Sequence, residues 1–212
     1  MDHDVIILGG GIVGCAVAYE LSKYNLNIAL IEKDFDIADD ISFINTSIVY
    51  DGAEAKDDRM AKLEQEGNKL FDNICDKFNI PFRRVPSLTI AVDEEDLKFI
   101  EEVKKRAEKI GIKGVDIIDE KSVKDMHFEF PKKIKKALYN KNTALVSPYD
   151  LAISYGEVAY DNGVNFKMEE AVIDVQRMSK GLRVITNKSK FTCRMVVNTI
   201  STEGYGINDN KN

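Results

Sequence analysis

Residues 4 to 14 constrain the fold more than any other stretch of the chain. Asp4-Val5-Ile6-Ile7-Leu8 is a short run rich in β-branched residues, as expected of a buried strand, and it leads directly into Gly9-Gly10-Gly11-Ile12-Val13-Gly14. Cys15, Ala16, Val17, Ala18 and Leu21 then continue as the apolar face of a helix. This order of strand, turn and helix puts Gly9, Gly11 and Gly14 at the three glycine positions of Gly-x-Gly-x-x-Gly. The first allows a tight turn, the second lets a pyrophosphate approach the backbone, and the third lets helix and strand pack closely. Ile12 and Val13 open the helix, whose amides and positive dipole end are suited to an anion.

A second apolar run, Asn27-Ile28-Ala29-Leu30-Ile31, ends in Glu32. An acidic side chain about 20 residues beyond the glycines accepts hydrogen bonds from a ribose hydroxyl and repels the additional phosphate of NADP. Strand, glycine turn, helix, strand and acid in this order predict an adenine-dinucleotide site on a Rossmann-like α/β fold. Gly9, Gly11, Gly14 and Glu32 suit either FAD or NAD.

Composition narrows the function further. With 30 Lys and Arg against 36 Asp and Glu, the net charge is −6, which argues against nucleic acid as a partner. The early apolar run Val5 to Leu8 is far below the roughly 20 residues that cross a bilayer, and Asp2, His3 and Asp4 stand where a signal peptide is basic. A cytoplasmic protein is expected. Cys15, Cys75 and Cys193 are odd in number and widely spaced, so reduced thiols are expected rather than a disulfide framework or a zinc site. His3 and His127 are the only histidines and read as bystanders.

Further along, Met60, Leu63, Gly67, Leu70, Phe71, Ile74 and Phe78 recur at helical spacing before Pro81, and the periodicity predicts a long helix packed on a core. Leu88 to Val92 reads as a strand, and Asp93 as the N-cap of a helix stopped at Gly111. The basic run Lys132-Lys133-Ile134-Lys135-Lys136 reads as a solvated turn or an edge strand. Ser147-Pro148 starts a helix and Asn162-Gly163 stops it. Strands are then expected at Val164 to Met168, Ala171 to Val175, Leu182 to Thr186 and Phe191 to Val197, before a polar tail at Asn208 to Asn212.

The glycine turn, Glu32-Lys33 after the second strand, Arg59-Met60-Ala61-Lys62-Leu63, Gly67-Asn68-Lys69-Leu70-Phe71, Val85-Pro86-Ser87-Leu88 and Leu145 to Leu151 together resemble the D-amino-acid-oxidase-like superfamily of flavoproteins. Within it the chain looks most like the branch of glycerol-3-phosphate dehydrogenase and L-2-hydroxyglutarate oxidase, over nearly its whole length. The resemblance implies FAD as cofactor and an α/β fold: a Rossmann-like FAD-binding domain with an inserted, incomplete α+β substrate-side region. The FAD-binding parts would be 1–80 and 147–212, with the insertion at 81–146. It also implies cofactor contacts from Gly9, Gly11, Ile12, Val13, Gly14, Glu32, Lys33, Ser42 and Asn45, with Val172 near the adenine.

Three departures from the family pattern accompany this resemblance. Tyr50 stands where relatives carry a histidine, which makes it the catalytic candidate, with a packed or substrate-lining tyrosine as the alternative. Asp39 and Asp40 bring negative charge to a region that relatives keep small and neutral, and a carboxylate repels a pyrophosphate. Asn198-Thr199-Ile200-Ser201 replaces Asn-Ala-Ala-Gly, so its bulk is expected to crowd the cofactor, and relatives extend further to complete the substrate pocket. Two functions follow: an FAD-dependent oxidoreductase acting on a CH–OH carbon of a small molecule, or an inactive or partner-dependent dinucleotide-binding homologue. NAD binding is a third.

Overall fold

The computed structural model describes residues 1–39, 46–126 and 133–200. In chain order the elements are β1 (His3–Leu8), α1 (Ile12–Leu21), β2 (Ile28–Ile31), β3 (Ile48–Val49), α2 (Asp58–Phe78), β4 (Phe82–Arg84), β5 (Ser87–Ala91) and α3 (Glu94–Lys109). They continue with β6 (Val115–Asp119), α4 (Glu120–Lys124), β7 (Lys136–Asn140), β8 (Ala144–Val146), α5 (Pro148–Asp161), β9 (Asn165–Lys167), β10 (Val172–Arg177), β11 (Leu182–Thr186) and β12 (Lys190–Asn198). They form two compact units, Met1–Thr46 with Pro148–Asn212, and Ser47–Ser147.

The first unit is built on a six-stranded sheet in the order β10-β11-β12-β1-β2-β9. β12, β1, β2 and β9 run parallel, while β10, β11 and β12 form an antiparallel ribbon. A parallel strand covered on both faces is apolar throughout, which is why β1 and β2 read as unbroken apolar runs. Their alternate residues divide between two cores. Val5, Ile7, Ile28 and Leu30 pack with Ala18, Ala159 and Val164 on the helical side, whereas Ile6, Leu8, Ala29 and Ile31 pack with Val184 and Cys193. Each Val, Ile or Leu among them contributes roughly 1.5–3 kcal/mol by leaving water. α1 and α5 lie together, with the Tyr19 and Tyr155 rings 5.2 Å apart. The second unit is inserted between β2 and α5, within a β-α-β crossover, so β9, the second parallel partner of β2, is reached only after residue 147.

The second unit holds two antiparallel three-stranded sheets, β3-β8-β4 and β5-β7-β6. Ile100, Val103 and Ala107 of α3 pack with Ala91, Val115 and Leu138, while Val123 of α4 packs with Ile134 and Ala137. The Asp93 carboxylate caps α3 by accepting from the Asp96 amide at 2.9 Å. Buried Asp51 accepts from the Ala53 amide and from the side-chain amides of Asn140 and Asn142 at 2.7–3.1 Å, a charge made tolerable by three donors. Arg84 donates to the Asn68 side chain and backbone at 2.7 and 2.9 Å and pairs with Asp72.

Three features differ from expectation. The first division falls after residue 46 instead of 80, because α2 packs with the second unit through contacts such as Phe71 on Phe82 and Arg84 on Asn68. Of the basic run, Lys132 lies outside the described residues, and Lys133 and Lys135 are exposed ahead of β7 as a solvated segment would be. Lys136 opens β7, a middle strand and not an edge, while Ile134 is buried. The apolar stripe of α2 faces its unit only in part, with Phe71, Ile74 and Phe78 half-buried. Met60, Leu63 and Leu70 are 46%, 63% and 55% exposed, and the buried residues are Ala61, Asn68 and Cys75. No helix among the described residues is long and apolar enough to cross a membrane.

Candidate functional site: the glycine turn of the first unit

The turn sits at the C-terminal end of β1, where the sheet order runs to β2 on one side and to the last strand, β12, on the other. Crevices at such reversals are where open α/β sheets bind ligands. The three glycines answer to different demands. Gly9 has φ +99°, a conformation that a side chain would strain. A Cβ on Gly14 would lie 1.9 Å from the Gly9 carbonyl oxygen, so this glycine lets the helix start against the strand end. Gly11 is the N-cap with φ −69° and ψ 177°, open to any residue, so its backbone conformation does not require glycine.

Gly11 brings no side chain to cap α1, and its first turn holds no acidic residue. Amides at a helix start have no intrahelical acceptor, and together with the dipole they suit a phosphate. Ile12 is the first helical residue and half-buried, while Val13 is 59% exposed on the first turn. Cys15 is fully buried behind the turn and its thiol donates to the Gly10 carbonyl at 3.2 Å. Burial, with the charges of Glu32 and Asp36 adding to it, pushes this thiol up to about 12, so it packs as a neutral group.

Glu32 follows β2 and is directed at the turn. Its Oε2 accepts from the Gly10 amide at 2.5 Å and its Oε1 from the Asp34 amide at 3.0 Å. A carboxylate has about four lone-pair directions, so acceptor capacity remains for a ribose diol. Lys33 is exposed, with Nζ 4.0 Å from the Asp34 carboxylate. The Glu32 carbonyl accepts from the Glu170 amide at 2.8 Å, which brings the segment entering β10 beside it. Val172, the first residue of β10, is half-buried against the core that contains Ile6 and Leu8. Ser42 and Asn45, with Asp40 and His127, lie outside the described residues.

Two contributors to the turn were not anticipated. Thr199, expected to crowd the cofactor, directs its hydroxyl at the turn's own backbone, 2.8 Å from the Leu8 carbonyl and 3.1 Å from that of Gly9. A Cβ on Gly14 would come within 2.8 Å of that hydroxyl, so the absent side chain is what accommodates the threonine. Ile37 is buried 3.0 Å from where a Gly10 Cβ would stand, and the Ala38 amide donates to the Gly10 carbonyl at 3.0 Å. Neither carries a local sequence signal, since both act across the chain from the turn. Thr199→Val, which keeps the shape and removes the donor, is expected to cost about 1 kcal/mol. Urea denaturation would measure this, and an unchanged midpoint would mean that the hydroxyl holds nothing.

In the second unit, Tyr50 follows β3 and is 43% exposed, and its carbonyl accepts from the Asn68 side chain at 3.0 Å. A groove of about 480 Å³ in the same unit is lined by Pro81, Phe82, Arg83 and Leu145 with Ser47 and Ser147, and among the described residues Arg83 is its only charged lining residue. Both Arg83 and Arg84 are exposed, and Arg84 is held by Asn68 and Asp72.

A parallel sheet with a glycine turn at its order reversal and an acid at the next strand end defines a dinucleotide-binding α/β protein. Residues 4–202 match the family described as FAD dependent oxidoreductase (DAO), and the chain belongs to that family. It is 36% identical over 207 residues to a glycerol 3-phosphate dehydrogenase of Caloramator mitchellensis, covering 97% of this chain and 43% of that protein. It is 34% identical over 158 residues to a mitochondrial L-2-hydroxyglutarate dehydrogenase of Caenorhabditis briggsae, covering 73% and 36%. Among solved structures, the L-alpha-glycerophosphate oxidase of Mycoplasma pneumoniae with FAD bound aligns with a TM-score of 0.79 at 26% identity, covering 92% of this chain and 52% of that one. The L-proline dehydrogenase of P. horikoshii shares the fold, with a TM-score of 0.84 at 20% identity over 97% of this chain and 54% of that one. The chain thus spans less than half the length of the two curated relatives.

Proposed function

We propose that the chain is the cofactor-binding and first substrate-side portion of an FAD-dependent oxidoreductase that oxidises a CH–OH carbon of a small anionic molecule, such as glycerol 3-phosphate or a 2-hydroxy acid. The Glu32 carboxylate bound to the Gly10 amide carries this reading, because it fixes the acid that meets the ribose against the turn that meets the pyrophosphate. Gly9, Gly11, Ile12, Val13 and Gly14 form the phosphate cradle, and Lys33, Ser42, Asn45 and Val172 are assigned to the rest of the cofactor. FAD, when bound, accepts a hydride from the carbon that bears the hydroxyl.

On the substrate side, exposed Tyr50 is assigned to the substrate hydroxyl, and Arg83, a cation lining the groove, favours an anionic substrate. Three buried free cysteines fit a reducing compartment such as the cytoplasm. The limited share of the relatives' length that is covered favours a second reading, a dinucleotide-binding homologue that needs a further polypeptide for turnover.

Titration of the purified protein with FAD and with NADP tests the cofactor assignment. FAD is expected to bind at least about tenfold more tightly, since Glu32 accepts from a ribose diol and repels a phosphate there. Bound oxidised flavin gives a yellow protein. Equal or tighter NADP binding would overturn the role given to Glu32.

A further inference from the structure

The apolar side of α2 and its buried side point in different directions. At about 100° per residue, Met60, Leu63, Gly67, Leu70 and Ile74 fall within an arc of about 80°, while Ala61, Asn68 and Cys75 fall on an arc centred about 120° away. The second arc is buried against its own unit, while on the first Gly67, Ile74 and Phe78 are half-buried and Met60, Leu63 and Leu70 are 46–63% exposed. A Cβ at Gly67, in the middle of the stripe, would meet nothing within 4 Å. Three large apolar side chains aligned on one exposed face are more than scattered surface residues, and such patches mark association sites.

We propose that the stripe Met60, Leu63, Gly67, Leu70 and Ile74 is the docking surface for the remaining portion of an FAD-dependent oxidoreductase fold, presented to it as an apolar polypeptide face. The proposal rests on the reading of the chain as part of such an enzyme. The occupant is indicated by length: 57% of the Caloramator mitchellensis dehydrogenase, the whole less the 43% covered, lies outside the match. An edge strand in the same unit points to polypeptide as well. β5, Ser87-Leu88-Thr89-Ile90-Ala91, is an outer strand of its sheet and has none of the charges or prolines that usually guard an edge.

Thiol labelling tests this, because all three native cysteines are buried and react slowly. Leu63→Cys and Leu70→Cys, with Lys62→Cys as a control on the charged side, would be labelled with a maleimide in two proteins. One is the 212-residue chain, and the other is the same chain joined at its C-terminus to the unmatched portion of the Caloramator mitchellensis dehydrogenase. Labelling at the two leucine positions is expected to slow by at least about tenfold in the joined protein, while the control stays within about twofold. Unchanged rates at both positions in the folded, joined protein would overturn the proposal. So would protection in the chain alone, assigning the stripe to a second copy if it grows with concentration and to this chain itself if it does not.

A measurement on the chain alone does not depend on the joined protein folding. The double variant Leu63→Glu, Leu70→Glu is expected to keep its Tm within about 2 °C and to lose several-fold of its bis-ANS fluorescence. A larger fall in Tm would show the stripe to be internal and overturn the proposal. Flavin absorbance separates the two readings: flavin bound without protection removes the docking surface alone, and protection without flavin removes the cofactor assignment alone.

Discussion

Gly11→Val is expected to abolish measurable FAD binding, by at least about 100-fold or roughly 2.7 kcal/mol, in a protein that stays folded. Gly11 has φ −69° and ψ 177°, within reach of valine, so the substitution does not strain the backbone. What it changes is the space in front of the first turn of α1, through which, on the proposed cofactor assignment, a pyrophosphate would reach the amides. Circular dichroism and flavin titration on the same sample are the measurement. Unchanged affinity in the folded variant would show that the glycines form only a turn.

Gly14→Ala is expected to act the opposite way, through the fold. The new Cβ would stand 1.9 Å from the Gly9 carbonyl oxygen and 2.8 Å from the Thr199 hydroxyl, and the first of these is backbone that cannot rotate aside. α1 must then shift away from β1, at a cost of about 3 kcal/mol or more. For a chain of this size that lowers Tm by roughly 6–12 °C. Thermal unfolding followed at 222 nm checks it, and a shift of less than about 2 °C would mean that the helix start is free to relax. The two glycines, three residues apart, thus separate loss of binding from loss of stability.

Several elements were legible because they are local. The apolar runs of β1 and β2, the Asp93 cap of α3 and the Ser147-Pro148 start of α5 are each written within a few residues. The short strands β3, β4 and β8 were not legible. At two or three residues they carry no periodicity, and they exist because each pairs with another across the sequence, Ile48 with Leu145 and Arg83 with Leu145. The charged run before β7 is solvated at Lys133 and Lys135, but its edge-strand alternative fails because Lys136 is held in a middle strand by pairing on both sides. The periodicity of α2 marked a helix correctly but not its buried face, because repeats report apolarity and not what lies opposite.

By itself, the sequence determined the strand, turn and helix at the N-terminus, the acid at position 32 and the α/β class, since all of these follow from residue type at short spacing. Only the tertiary structure decided how that site is supported. It set the Thr199 hydroxyl on the Leu8 and Gly9 carbonyls, placed Ile37 and Ala38 against Gly10, and set Glu32 on the Gly10 amide. These contacts join residues 22 to 191 positions apart in the chain, or lie in a loop without periodicity, and only the packed sheet brings them within hydrogen-bonding distance.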